Sequence, residues 1–406
     1  MPSNEAAVHQ VALADLCAAP NAIAPDYSRF RVSERLLLSA HSHQAWPDCG
    51  FDAQQQAWLD AAELVDNKWE RAFAKAEQVR TGFRRLLNDP DADLALGANT
   101  HDLVVRLLSA LPLRERPRIV TTNGEFHTLR RQFDRLDEEG IEIVRVPAAP
   151  ARTLAERLGL EVDSTTALVA VSAVMFRTGH RIPQLGAVAS VCADEGAQFL
   201  VDAYHALNVA PFSVPQDGLD NAFVVGGGYK YCQLGEGNCF LRLPPDCDLR
   251  PVVTGWYSEF SALEAGAAAD VMYGAGGDRF AGATYDPTSH YRAAEVFAYF
   301  EARGLNPALL REVSQYQVGL LATGFDDLDL DPRLIARDHE TPLDELGGFL
   351  ALQSPHAGTL SERLYQRGVS NDYRDDILRL GPAPYLADDQ LREAIAHLGV
   401  AVEELA

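Results

Sequence analysis

Lys230 follows an apolar run and three glycines (Gly226, Gly227, Gly228) and is flanked by Tyr229 and Tyr231. Glycines at such a point let the backbone approach a neighbour closely and adopt torsions closed to other residues. A lysine there is either an ordinary loop residue or an amine that forms an imine with a carbonyl. The chain holds only two other lysines, Lys68 and Lys75. Both fall among charged residues of helical spacing (Asp66, Glu70, Arg71, Glu77, Arg80), the setting of solvated surface amines. Lysine chemistry, if the protein performs any, falls to Lys230.

Other reactive residues stand at comparable places. Asp202 ends an apolar run, with His205 three residues on. Its carboxylate is either a helix cap or the partner of a protonated ring nitrogen. Asn99-Thr100-His101-Asp102 opens a helical stretch, where unpaired backbone N–H groups favour a phosphate, or where Asn99 or Thr100 simply caps the helix. Phe126 follows another apolar run and either stacks on a flat ring or packs into the core. The His41-x-His43 spacing suits a metal, but no third ligand is evident, and no metal is expected.

The elements that carry these residues alternate. Short apolar runs at 94–96, 118–121, 141–146, 168–172, 199–201, 222–225 and 239–243 are interleaved with amphipathic stretches at 102–111, 129–139 and 185–195. Such alternation predicts an α/β domain with a largely parallel sheet. Ligands of open α/β sheets lie beyond the carboxyl ends of the strands, where the reactive residues cluster. Residues 51–87 have helical spacing and read as one or two helices. After about 287 come a long helix (289–303), another at 307–323, weaker strand signals near 349–353 and 377–381, and a final helix at 388–398, the pattern of a smaller α+β domain. The expected organisation is an N-terminal arm (1–50), a large domain (51–286) and a small C-terminal domain (287–406).

The formal net charge is −23 over 406 residues. That excess argues against nucleic acid, which needs clustered Lys and Arg, and against an anionic membrane surface. No apolar run is long enough to cross a bilayer and no secretory segment is evident, so a cytoplasmic protein is expected. Six cysteines without CxxC spacing do not suggest a disulfide framework.

Taken together, NTHDLVVRLL (99–108), the aromatic after Glu125, FRTG (176–179), DAYHALNVAP (202–211), GGGYKY (226–231), GWY (255–257), GDRFAGAT (277–284) and DYRDDILRLGPAPY (372–385) occur in one order over nearly the whole chain. In this set the sequence resembles the kynureninase branch of the class V aminotransferase-like, fold-type I enzymes that use pyridoxal 5'-phosphate (PLP). The resemblance implies a large domain built on a mostly parallel, seven-stranded mixed sheet sandwiched by helices. It implies that Lys230 carries PLP, that Asp202 pairs with the pyridinium nitrogen with His205 beside it, and that Phe126 stacks on the ring. Thr100, His101 and Asp102 would bind the phosphate, chiefly through backbone donors, and Tyr229 would touch it and relay protons. Trp256 and Thr284 match positions that reach the cofactor of a neighbouring subunit, which implies a homodimer with shared active sites. Arg379 matches the arginine that clamps a substrate α-carboxylate. His41, Ser42 and His43 fall in the stretch that lines the substrate pocket.

The implied reaction is hydrolytic Cβ–Cγ cleavage of a kynurenine-like amino acid to alanine and an aromatic acid. A class V aminotransferase, or a β- or γ-elimination lyase acting on a more polar amino acid, fits the same core. A cysteine desulfurase needs a nucleophilic cysteine shortly before the carboxylate-binding arginine, and no cysteine follows Cys247.

Overall fold

The computed structural model describes residues 10–265 and 270–405, with backbone only for 261–265. Seven strands form the central sheet: β1 (Asp93–Gly97), β2 (Arg118–Thr122), β3 (Glu142–Val146), β4 (Thr166–Ser172), β5 (Gln198–Asp202), β6 (Phe223–Gly227) and β7 (Cys239–Leu243). Their order is β1-β7-β6-β5-β4-β2-β3. The β2, β3, β4, β5 and β6 strands are mutually parallel, and β7 runs antiparallel to both β6 and β1. Every run read as a strand in this part of the sequence is one.

Burial explains the near-continuous apolar character of these strands, since helices cover both faces. On β4 all seven residues are buried. Val169 and Val171 pack to one side with Phe83, Val188 and Phe199. Leu168 and Ala170 turn to the other, with Leu103, Leu107, Leu200 and Phe133. This strict alternation is the two-residue period of a pleated strand.

The helical stretch beginning at residue 49 divides into Cys49–Leu64 and Lys68–Leu87, separated at Val65, whose φ of 49° cannot continue a helix. Beyond the sheet come helices Thr288–Arg303 and Pro307–Asp327. A separate antiparallel sheet follows, built from β8 (Leu350–Gln353), β9 (Asp372–Arg374), β10 (Ile377–Leu380) and a two-residue strand at Ala336–Arg337. The β9 strand was not expected. It is three residues long and turns into β10 through Asp375, whose φ is 52°. Helix Asp388–Glu403 closes the fold. Residues 1–9 of the arm and 266–269 lie outside the described residues.

Candidate active site

The parallel strands and β1 end at one edge of the sheet, and the loops leaving them bring the reactive residues together. Lys230, two residues beyond Gly228, is 5% exposed. Its Nζ lies 2.5 Å from His205 Nε2. The ring centres of Tyr204, Phe126 and Tyr229 stand 5.1, 5.2 and 5.8 Å from the same atom. Burial pushes the amine down to about 7, with Asp202 opposing the shift and Arg379 adding to it. An amine so placed is substantially unprotonated near neutrality and can act as nucleophile or base. Gly227 is needed for this packing: a Cβ there would fall 2.5 Å from both the Tyr204 hydroxyl and Cys239 Sγ.

Asp202 ends β5, and its Oδ1 accepts the Tyr204 amide at 2.8 Å. Burial raises its carboxyl, while the Tyr204 amide and Lys230 pull it back. His205 is held neutral by burial first and then by the charges of Lys230 and Arg379. Its Nδ1 has no partner among the described residues. Beside Asp202 in register is Ser172 at the end of β4. Ser172 donates through Oγ to Glu125 Oε2 at 2.6 Å, and Thr122 donates to Oε1 at 2.6 Å. Glu125 is thereby fixed in the interior next to Phe126, with its carboxyl raised to about 7 by burial.

The arm reaches this cluster from the other end of the chain. The Gln44 amide donates to the Tyr229 carbonyl at 3.2 Å. His43 stacks on Tyr229 with ring centres 4.8 Å apart and planes 19° from parallel. Ser42 Oγ lies 3.1 Å from His43 Nδ1. Tyr229 also leans on Tyr204, and burial pushes its phenol up to about 12, so it is a proton donor at neutral pH. Trp46, three residues on from His43, packs under the Arg292 guanidinium at 4.4 Å.

Arg379 on β10 is 2% exposed and directly opposite Asp372 on β9. Its Nε and Nη2 both donate to the Asp372 carboxylate, Nε at 2.8 Å, and Nη1 donates to the Phe176 carbonyl. His41 is fully buried and donates from Nε2 to Asp372 Oδ1 at 2.7 Å. Nothing in the sequence marks Asp372 for a role, although it lies within the motif that carries Arg379. Only the hairpin register puts the two face to face.

At the helix Thr100–Ala110, Asn99 caps the first turn by accepting the Asp102 amide at 2.8 Å. Asp102's backbone donor is thus used within the chain and that of Thr100 points at the Cys239 thiol, leaving that of His101 at the open helix end. Trp256 and Thr284 bond to each other, Nε1 to Oγ1 at 3.3 Å, and Trp256 packs on Tyr257 and Phe260. Thr284 shares a cavity of about 870 Å³ with Gly97 and Asp102.

Known proteins resemble this chain in fold over most of its length and in sequence over part of it. Residues 61–235 match the family model described as aminotransferase class-V. A probable cysteine desulfurase of Methanothermobacter thermautotrophicus is 26% identical over 189 residues, covering 46% of each chain. A kynureninase of Xanthomonas campestris pv. campestris is 28% identical over 194 residues, covering 44% of this chain and 45% of its own. The alignments thus span less than half the length of these relatives. Among solved structures, a C-DES mutant with glycine covalently linked to its PLP cofactor superposes with a TM-score of 0.80 at 16% identity, covering 92% of this chain and 98% of the other. A stretch of under half the chain is thus similar to class V aminotransferases, and the architecture is that of the superposed PLP-linked structure. The likeness to a kynureninase and to a desulfurase is of similar strength.

Proposed function

We propose that the protein is a PLP-dependent enzyme acting on an amino acid, and that its reaction is hydrolytic Cβ–Cγ cleavage of a kynurenine-like substrate. The observation that carries the first part is the setting of Lys230: a buried, depressed amine ringed by Phe126, Tyr204 and Tyr229 with a carboxylate at Asp202. The residues fit PLP in three respects. Lys230 is positioned to bond a carbonyl, Asp202 supplies the charge for a ring nitrogen, and the helix start at Thr100 and His101 suits a phosphate. Phe126 would cover one ring face, and His205 would stand beside Asp202 and Lys230.

PLP, when bound, supplies an electron sink for bonds broken next to the substrate α-carbon. The chain's own groups do the rest. Lys230 Nζ takes the α-proton, which its lowered affinity for protons permits near pH 7. Arg379 orients the substrate through its carboxylate. Tyr229 Oη holds the proton exchanged at the side-chain carbonyl as water adds, and His43 packs on the face of its ring. Two copies of the chain would share their sites, Trp256 and Thr284 of each reaching the other's phosphate.

Desulfurase chemistry is disfavoured by the thiols themselves. All six cysteines are free and none is exposed. Each thiol is raised by burial, Cys17 to about 11 and Cys49, Cys192 and Cys239 to about 12. A persulfide-forming cysteine works as an accessible thiolate of lowered pKa.

The test begins with PLP uptake. Borohydride treatment of the PLP-loaded protein should fix the cofactor on Lys230, located by peptide mass, and Lys230→Ala should abolish the fixation. Incubation with kynurenine or 3-hydroxykynurenine should then release alanine. If a keto acid and an aminated cofactor appear instead, the protein is an aminotransferase.

A further inference from the structure

The guanidinium of Arg379 is not free to receive a carboxylate in the usual side-on manner. A guanidinium has five N–H groups, and its Nε/Nη2 edge is the fork that pairs bidentately with carboxylates. Asp372 already fills that edge. One Nη1 hydrogen goes to the Phe176 carbonyl across the cleft. Among the described residues, this leaves one N–H on each terminal nitrogen.

Asp372 is itself firmly held. It sits opposite Arg379 in the β9–β10 ladder, so its backbone is fixed, and it accepts a third bond from His41. His41 has no freedom to do otherwise. Its ring packs against Phe349 at 4.8 Å, and its Nδ1 is turned onto Gly381, where even a Cβ would come within 2.3 Å. With Nδ1 buried and without a partner among the described residues, burial keeps His41 neutral, its affinity for protons lowered to about 4. A neutral imidazole with its proton on Nε2 can serve only as donor to Asp372.

We propose that Asp372 and His41 are positioning residues for Arg379: together they hold the guanidinium so that it meets the substrate carboxylate only through its two remaining terminal N–H groups. His41 then acts through Asp372 and does not touch the substrate. This rests on the PLP reading given above and deepens it, since it says how the same site selects an α-amino acid over the corresponding amine. Asp372 is shared between Arg379 and Arg374, whose Nη2 lies 3.5 Å from Oδ2, so one positive charge stays uncompensated there and the direction of the two N–H groups acts in addition to it. Charge balance and orientation therefore make opposite predictions. If Asp372 merely cancelled charge, removing its charge would tighten carboxylate binding. If it orients the fork, removal loosens it.

The experiment titrates the PLP-loaded protein with L-alanine and with ethylamine, which is alanine without its carboxylate, and follows the cofactor's absorbance band. The wild-type protein should respond to alanine at concentrations about tenfold or more below those of ethylamine, the discrimination expected of hydrogen bonds to a charged group. In Asp372→Asn that advantage should fall by about tenfold, with the ethylamine response unchanged. His41→Phe, which keeps the ring packing and deletes the donor, should move the ratio in the same direction by about threefold. Should Asp372→Asn fail to fold, His41→Phe carries the test alone. An alanine advantage that is unchanged or larger in the variants overturns the proposal. A wild-type protein that takes up no PLP, seen before any amine is added, overturns the proposed function and this inference with it.

Discussion

Glu125 shows what burial does to a single carboxyl in this site. It is enclosed between Thr122 and Ser172, and loss of hydration outweighs the hydrogen bonds they donate, so its pKa rises from the usual carboxylate range to about 7. The folded protein therefore binds a proton that the unfolded chain releases above about pH 4.5. Stability contributed by Glu125 is complete below that pH, falls between about 4.5 and 7, and is level above 7. A shift of this size corresponds to on the order of 3 kcal/mol. In Glu125→Gln the titration is absent. The wild-type protein should thus lose stability relative to Glu125→Gln as pH rises from 5 to 7, read from urea midpoints, with no further divergence up to pH 8. Equal pH slopes for the two proteins would show that the carboxyl is ionised throughout. Lys230 was legible in the sequence because lysine is scarce and the glycines before it are unusual. Glu125 was visible only as a polar residue ahead of Phe126, because burial depends on Ser172 and Thr122, which arrive on two different strands.

The hairpin formed by β9 and β10 extends the same lesson to elements. The seven strands of the main sheet were readable because burial on both faces makes each a compact apolar run between loops. The β9 strand, Asp-Tyr-Arg, has no apolar run, and it exists because β10 offers it a ladder. Its pairing sets Asp372 opposite Arg379, and the segment just after β10 sets Gly381 against the His41 ring. The His41 ring is thus held by a neighbour 340 residues away in sequence. Gly381→Ala should cost about 1–3 kcal/mol, the usual penalty of overpacking a rigid site. The control is Gly319→Ala within helix Pro307–Asp327, where a Cβ meets nothing within 4 Å. That change should raise stability by up to about 1 kcal/mol through helix propensity. Thermal melts of both variants decide the point: if Gly381→Ala matches the wild type, His41 is not tightly held.

At the scale of the whole molecule, the loop at 250–285 leaves large apolar groups in solvent. Trp256 is 42% exposed, Phe260 48% and Val252 81%. Trp256 and Phe260 join Phe73 in one aromatic ridge, with Phe73 and Phe260 ring centres 6.0 Å apart. A contiguous apolar ridge on a protein of formal charge −23 calls for a covering surface, and a second copy of this chain meets the proposed need for Trp256 and Thr284 at a neighbouring phosphate. The composition said nothing of this, because the residues concerned become a patch only when helix 68–87 and the loop come together. Shared sites make a sharp prediction. Lys230→Ala and Trp256→Ala, each purified alone, should both hold PLP poorly. In a mixed dimer one site carries both changes and the other carries neither. When equal amounts of the two are dissociated and reassociated at random, half the dimers are mixed, and about a quarter of all sites should regain wild-type PLP affinity and borohydride fixation at Lys230. Recovery of none would place Trp256 beside the cofactor of its own chain, consistent with the cavity in which Thr284 already meets Gly97 and Asp102. Sedimentation of the wild-type protein at the same concentration supplies the reference, since a monomer there would remove the second copy from the site altogether.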